Sequence, residues 1–175
     1  MGFLTDAAEI HARWTVSDDV LAEDRMCRPV LNLGLAGTVR MEMEMAELLA
    51  ELNPAVYVLD CLPNMPAEQV TERAEPFVHR LREARPATPI VLVEDRSYGN
   101  AWLLPALRQR NLTSRAALRA GYERLLADGV GELYYLPGEG LLGDDDDGTV
   151  DNSHPNDLGY YRMVEALAPV LMPLL

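Results

Sequence analysis

The chain contains no lysine: all 15 of its basic residues are arginines, and 28 acidic residues bring its net charge to −13. Schiff-base catalysis needs a lysine amine, so enzymes that work through one are excluded. Nucleic acids and anionic membrane surfaces need a basic footprint, which this charge balance does not offer. The composition therefore argues against nucleic-acid and membrane partners and leaves small neutral or cationic substrates open.

Cysteine and long apolar runs are scarce as well. Cys27 and Cys61 lack the spacing of zinc or redox sites and are too few for a disulfide scaffold, so we expect reduced, buried thiols. No apolar run approaches the roughly 18 residues of a membrane span, and the N-terminus has no signal-peptide pattern. By default this predicts a cytoplasmic protein, unless an upstream segment carries a signal.

The pattern that is present is that of one α/β domain spanning residues 1–175, with 49% hydrophobic residues. Short apolar runs bounded by turn residues predict four buried parallel strands. The runs are Pro29 to Leu33, Ala55 to Leu59, Pro89 to Val93 and Glu132 to Leu136. Residues 1–28 are poorly patterned, and a weak helix is our interpretation of Met1 to Glu23.

Apolar residues at helical spacing lie between and after these runs. They are Met41, Met45, Leu48, Leu49 and Leu52; Val70, Ala74, Phe77 and Leu81; Leu118, Tyr122 and Leu125; and Leu158, Val164, Leu167 and Leu171. Thr113 is a candidate N-cap and Gly129 a candidate helix stop. Strands that alternate with helices predict an open, doubly wound parallel sheet with helices on both faces.

Ligands of such sheets bind beyond the carboxyl ends of the strands. Four loops lie there: Gly34 to Arg40, Asp60 to Met65, Glu94 to Trp102, and Pro137 to Asn156. The acidic run Asp144 to Asp147 in the last loop does not fit the spacing of a calcium loop and is interpreted as a solvated turn. We expect neither a metal nor an organic cofactor.

The most informative motif of these loops is Asp151-Asn152-Ser153-His154-Pro155-Asn156. A carboxylate three positions ahead of a histidine is what a general base needs, because the carboxylate fixes the tautomer and stabilises the imidazolium. The motif therefore suggests a hydrolase.

Two other loops offer hydrogen-bond donors for an oxyanion. The glycines of Asn32 to Thr38 let the backbone turn sharply and present N–H groups outward, and a tight turn without a ligand is the alternative. Asn64 could donate its side-chain amide from the same edge of the sheet, and a turn or capping role is the alternative.

In residue type and in order, Gly37, Asn64, Asp151 and His154 resemble the SGNH hydrolases, also called the GDSL esterase and lipase family. The resemblance runs from about Pro29 to the C-terminus, and it implies a flavodoxin-like fold. It also implies that a serine attacks an ester carbonyl, His154 moves the proton, Asp151 orients His154, and Gly37 and Asn64 hold the oxyanion. The family's asparagine block usually reads Gly-x-Asn-Asp, from which Leu-Pro-Asn-Met departs.

The nucleophile is what this resemblance lacks. The family's serine follows the first strand, and the corresponding region, Met1 to Asp6, contains no serine and no strand pattern, so the first strand is expected to be missing. The other candidate nucleophiles, each with a structural alternative, are Ser17, Ser97, Ser114, Ser153 and Cys61.

The loop Glu94 to Trp102 is expected to form the pocket wall and to bind substrate. Tyr98 and Trp102 offer flat apolar surface suited to sugars or acyl groups, and Arg96 is expected to pair with Asp95 or Glu94. A surface ion pair and a packed aromatic are the alternative interpretation.

Two functions from different classes follow. The first is hydrolysis of a small carboxylic ester, such as an O-acyl carbohydrate, with acyl transfer by the same residues as a variant. The second is a catalytically silent, truncated domain that binds a ligand or a partner. A second copy or a partner chain would then cover the sheet edge that the missing strand leaves open.

Overall fold

The computed structural model of the protein describes residues 10–12, 25–33 and 37–175. Its strands are β1 (Ile10–Ala12), β2 (Tyr57–Leu59), β3 (Ile90–Val93) and β4 (Leu133–Leu136). Its α-helices are α1 (Met43–Glu51), α2 (Ala67–Ala84), α3 (Pro105–Ala127) and α4 (Asp157–Leu171). Two short 3-10 helices span Leu62–Asn64 and Met172–Leu174.

The four strands form one parallel sheet in the order β1-β2-β3-β4. Tyr57 of β2 lies opposite Ile90 of β3, which lies opposite Leu133 of β4. Because the strands run in the same direction and in this register, the loops that follow them meet at one edge of the sheet. The predicted parallel α/β architecture is confirmed.

Along a strand, alternate side chains point to opposite faces of the sheet, and in β2 and β3 both faces are buried. Tyr57 and Leu92 belong to a core shared with buried residues of α1, α2 and α3. Val58 and Val91 belong to a second core, shared with α4. Helices therefore cover both faces, as predicted.

The helices agree with their predicted stripes most closely in α2. Its four predicted apolar residues, Val70, Ala74, Phe77 and Leu81, are each at most 2% exposed. The stripes of α1 and α4 agree less well, because Leu48 is 58% and Leu158 is 42% exposed. Their buried faces consist of Ala46, Leu49 and Ala50 in α1, and of Met163, Val164, Leu167 and Leu171 among others in α4.

The end of α3 was predicted correctly, and its beginning was not. Gly129 follows the helix with a φ of +82°, and its N–H donates to the carbonyl of Leu126, so it is the helix stop. Thr113 is not an N-cap, because its hydroxyl donates to Gln109 within the helix. The helix begins at Pro105, whose fixed φ suits a first helical position.

The N-terminal region departs from the expectations. The predicted strand Pro29 to Leu33 does not form: only Asn32 makes a β-bridge, and the segment is half-exposed and starts with a proline that has no N–H to donate. β1 instead pairs with β2, inside the stretch interpreted as a weak helix. The rest of Met1 to Glu23 lies outside the described residues. β1 itself contains no serine, and residues 13–24, which follow it, lie outside the described part of the chain.

Gly138, two residues after β4, lies against the loop that follows β3. A Cβ added to Gly138 would overlap the carbonyl oxygen of Asp95 and lie 2.9 Å from Nε of Arg115. We therefore expect Gly138→Ala to lower the free energy of unfolding by about 1–3 kcal/mol, as overpacked sites do. Urea unfolding measures the loss. Gly131→Ala is the matched control, because a Cβ there meets nothing within 4 Å, and equal losses in both variants would contradict the close approach.

Candidate active site

The loop between β4 and α4 brings the predicted base and its carboxylate into direct contact. Nδ1 of His154 lies 2.7 Å from Oδ2 of Asp151. Oδ1 of the same carboxylate accepts the backbone N–H groups of His154, at 2.8 Å, and of Ser153, at 3.0 Å. The carboxylate that shapes the turn thus also orients the imidazole. With Nδ1–H donated to Asp151, Nε2 carries the lone pair that a general base needs. The His154 side chain is 72% exposed, so a ligand can reach it.

Asp151 stays ionised through these contacts. The backbone N–H of His154, its imidazole and the backbone N–H of Ser153 together lower the pKa of Asp151 from its ordinary value of 3.8 to about 2. Hydrogen bonds to a carboxylate favour its charged form, which explains the direction. The negative charge that stabilises an imidazolium is therefore present at pH values above this lowered pKa.

The same shift predicts how Asp151 affects stability against acid. A carboxyl whose pKa is lower in the folded than in the unfolded chain stabilises the fold above the unfolded pKa, and this contribution is lost as the pH falls through the folded pKa. We expect wild type and Asp151→Asn to differ in free energy of unfolding by a constant amount above 3.8 and by a shrinking amount between 3.8 and about 2. Denaturant unfolding across this pH range measures it.

Asp128→Asn is the control for that experiment, because Asp128 is exposed and its carboxylate makes no hydrogen bond within the described part of the chain. A difference between wild type and Asp151→Asn that persists unchanged at the lowest pH would contradict the assigned contacts.

The two predicted oxyanion donors lie side by side. Asn64 ends the 3-10 helix that follows β2, and a Cβ built on Gly37 would lie 3.4 Å from its Oδ1. Gly37 has a φ of +80°, a conformation that favours glycine. Nδ2 of Asn64 is buried and has no hydrogen-bond partner among the residues that the structure describes. Buried donors are nearly always paired, so this amide is suited to an acceptor that arrives with a ligand.

The loop after β3 connects the 3-10 helix that ends at Asn64, here called the Asn64 turn, with the loop between β4 and α4 that carries His154, here called the histidine loop. Arg110 of α3 donates from one guanidinium nitrogen to the carbonyl of Pro63, at 2.6 Å, and from Nε to the hydroxyl of Tyr98, at 3.0 Å. In the same loop as Tyr98, Nε of Arg96 donates to the carbonyl of Ser153, at 2.7 Å. Each contact reaches a neighbour of a predicted site residue, so the structure brings the predicted loops to one place.

Arg96 does not pair with Glu94 or Asp95, so that expectation is wrong. Both carboxylates are occupied by residues of α3. Arg119 and Arg115 lie 3.3 Å and 3.8 Å from Glu94. Asp95 accepts a hydrogen bond of 2.8 Å from the side-chain amide of Asn111.

Sequence reasoning missed α3 as a source of site residues. The signal was present, since Asn111, Arg115 and Arg119 recur every four residues and hence lie on one helix face. Arg115 also donates to the carbonyl of Asp95, at 2.8 Å. This face fixes the loop after β3.

The two aromatic residues predicted for the pocket wall differ in environment. Tyr98 is half-buried, and its hydroxyl is held by α3. Trp102 is 78% exposed, and Leu103 beside it is 62% exposed. Trp102 is therefore not packed into the domain, and its indole face is available to a ligand.

Cys61 is unsuited to be the nucleophile. Burial, reinforced by the negative charge of Asp60, raises the pKa of the Cys61 thiol to about 12. The thiolate is the reactive form, and it is absent at neutral pH with such a pKa. Cys61 is buried as expected, whereas Cys27 is exposed, contrary to expectation.

Within the described part of the chain, no serine hydroxyl contacts His154. Ser114 is buried inside α3, where its hydroxyl donates to a carbonyl of the same helix. Ser97 is exposed, and its hydroxyl accepts from an arginine of α3 at 3.0 Å. Ser153 contributes backbone atoms to the histidine loop. Ser17 lies outside the described residues.

Among residues 10–12, 25–33 and 37–175, no cluster of three or more His, Cys, Asp and Glu side chains is arranged to hold a metal ion. In those same residues, no helix combines the length and apolar character that crossing a membrane requires.

The chain is similar to one protein family and to several solved structures. A model of the GDSL-like lipase/acylhydrolase family matches residues 15–172. A solved structure from Bacteroides ovatus ATCC 8483, described as a GDSL-like lipase, aligns with a TM-score of 0.89 and 28% identity over 97% of this chain and 53% of that chain. No curated protein matches.

Two more distant structures share the fold. The salicylyl-acyltransferase SsfX3 from a tetracycline biosynthetic pathway aligns with a TM-score of 0.75 and 19% identity over 99% of this chain and 56% of that one. A Clostridium thermocellum family 3 carbohydrate esterase aligns with a TM-score of 0.53 and 13% identity over 83% of this chain and 69% of that one. The chain thus spans about half the length of the first two solved structures that it matches.

Proposed function

Because the chain belongs to the GDSL-like lipase/acylhydrolase family, we propose that it hydrolyses small carboxylic esters, with an O-acyl carbohydrate as the substrate class. The observation that carries this proposal is the contact of 2.7 Å between Nδ1 of His154 and Oδ2 of Asp151, which leaves Nε2 free to act as a base. The unpartnered amide of Asn64 beside Gly37 supports it, since an ester oxyanion needs such donors.

The proposed reaction begins with proton transfer to His154. Nε2 of His154 accepts the proton of the attacking hydroxyl while the oxygen of that hydroxyl forms a bond to the ester carbon. The carbonyl oxygen becomes an oxyanion that Nδ2 of Asn64 and the N–H of Gly37 stabilise. When the C–O bond to the alcohol breaks, the alkoxide takes the proton back from Nε2. By family resemblance the attacking hydroxyl is a serine's, and water then releases the acyl group in the same way.

Arg96, Tyr98 and Trp102 are proposed to bind the substrate. Arg96 and Tyr98 belong to the loop that contacts both the Asn64 turn, through Arg110, and the histidine loop. The exposed indole of Trp102 supplies a flat apolar face, the kind of surface on which a sugar ring stacks.

A second candidate function is binding without turnover. It is favoured by one observation, that no serine hydroxyl contacts His154 within the described part of the chain. In this alternative the domain holds an ester-like ligand, and a partner chain or a second copy covers an outer strand of the sheet.

Release of 4-nitrophenolate from 4-nitrophenyl acetate, and of acetate from an acetylated sugar, tests the first candidate on the full chain. Hydrolysis above background that depends on His154 supports the proposal. Binding of the acetylated sugar without any His154-dependent hydrolysis overturns the proposal in favour of the second candidate. An added alcohol that captures the acyl group faster than water would reassign the reaction as acyl transfer.

A further inference from the structure

Arg96 is a buried cation with an unused hydrogen-bond donor. Its side chain is only 6% exposed, although it lies just beyond the carboxyl end of β3, at the ligand-binding edge of the sheet. Its Nε donates to the carbonyl of Ser153, which adjoins His154. Its NH1 is buried and, within residues 10–12, 25–33 and 37–175, has no hydrogen-bond partner. A buried guanidinium nitrogen without an acceptor is strongly unfavourable, so the position calls for one.

Neighbouring carboxylates do not fill this position. Glu94 accepts the hydroxyl of Tyr135 and the N–H of Gly138 in addition to its ion pairs with α3. Asp95 accepts a hydrogen bond from Asn111, and burial raises its pKa although the nearby charge of Arg96 opposes that shift. Arg96 therefore forms no ion pair within the described part of the chain.

A second unused donor, Nδ2 of Asn64, lies in the loop that follows the adjacent strand β2. One ligand with two acceptors would satisfy both donors. The ester carbonyl is the acceptor proposed for Asn64, which leaves a separate oxygen for Arg96. A charged acceptor is favoured over a neutral hydroxyl, because the guanidinium is a buried cation and a carboxylate matches both its charge and its geometry.

We propose that the substrate carries a free carboxylate close to the scissile ester and that Arg96 binds this carboxylate. The inference rests on the proposed function for the ester itself. It assigns the substrate class: half-esters of dicarboxylic acids, or hydroxy and sugar acids that are acylated on a hydroxyl and keep a free carboxylate. The net charge of −13 would repel such anions at long range, so a specific cationic position is what makes their binding possible.

Binding experiments test this assignment without requiring turnover. The probes are the monomethyl esters of malonate, succinate and glutarate, each compared by calorimetry with its own dimethyl ester. At least one monomethyl ester is expected to bind the full chain about ten- to a hundredfold more tightly than its dimethyl counterpart, the range typical of a hydrogen bond to a charged group.

Variants then assign the preference to Arg96. Arg96→Gln should remove it, so that the monomethyl and dimethyl esters of each pair bind with equal affinity, and Arg96→Lys should retain part of it because the charge remains. Arg108→Gln is the matched control, since Arg108 is an exposed arginine of α3 without a side-chain contact in the described part of the chain. It should behave as wild type.

The inference is overturned if the unaltered chain binds the two esters of each pair equally, or if Arg108→Gln lowers the preference as much as Arg96→Gln. The wild-type comparison holds even if Arg96→Gln fails to fold. The proposed function and this inference fail in different ways. Carboxylate-dependent binding without hydrolysis would contradict the function and leave the inference intact. His154-dependent hydrolysis of neutral esters without a preference for the carboxylate would support the function and contradict the inference.

Discussion

Replacing His154 by alanine is expected to lower the rate of ester hydrolysis about 10²–10⁴-fold, the contribution typical of general acid–base catalysis. The structure holds the imidazole in position to take a proton at this edge of the sheet, because Asp151 fixes its tautomer through a contact of 2.7 Å. Because the His154 side chain is 72% exposed, the substitution should leave the fold intact. Initial rates with 4-nitrophenyl acetate, with circular dichroism to verify folding, measure the effect.

His79→Ala is the matched control for this prediction. His79 lies in α2 and is partly exposed, so its removal tests whether any surface imidazole accelerates hydrolysis of the activated ester. His79→Ala should hydrolyse the ester like wild type. Equal rates for wild type and His154→Ala would rule out the assigned base and with it the hydrolase.

Replacing Asn64 by alanine is expected to lower kcat about 10²–10³-fold, or about 2.7–4 kcal/mol, with little change in KM. The reason is that its amide donor interacts with an oxygen whose negative charge develops only in the transition state. Nδ2 of Asn64 is buried without a partner, so no existing hydrogen bond of that nitrogen is lost on substitution. Steady-state kinetics with the same ester separates kcat from KM.

Asn53→Ala is the control for Asn64→Ala, because Asn53 is exposed and precedes β2, at the opposite edge of the sheet. A loss confined to KM in Asn64→Ala would make Asn64 a residue of ground-state binding, contrary to the role proposed here.

Much of the fold could be predicted because it depends on local apolar patterns. Three of the four strands and the stripe of α2 follow from short buried runs and from four residues at helical spacing, Val70, Ala74, Phe77 and Leu81. The strand expected at Pro29 to Leu33 is equally apolar and does not form. An apolar run shows that a segment can pair, but whether it does depends on the neighbour that the tertiary structure supplies.

In the candidate site, too, the local contacts could be predicted from the sequence and the long-range contacts could not. Asp151 and His154 are three residues apart, so their contact is encoded locally, and the sequence was sufficient to predict the pair. Arg110 reaches Pro63 across 47 positions, and Arg119 reaches Glu94 across 25. Such contacts depend on how α3 lies against the sheet, which no local pattern specifies. A polar face on a helix that follows a ligand-binding loop is the sequence signal that indicates such contacts.

The turn that holds His154 has a consequence for how such a protein can change over time. Within the described residues, the hydrogen bonds that orient the ring come from the segment 151–154. The orientation of the ring therefore does not depend on contacts with the distant N-terminal part of the chain. A lineage can therefore lose its attacking group and later regain one without rebuilding its base. In the laboratory, a short hydroxyl-bearing peptide supplied in trans would meet an imidazole that is already set for proton transfer.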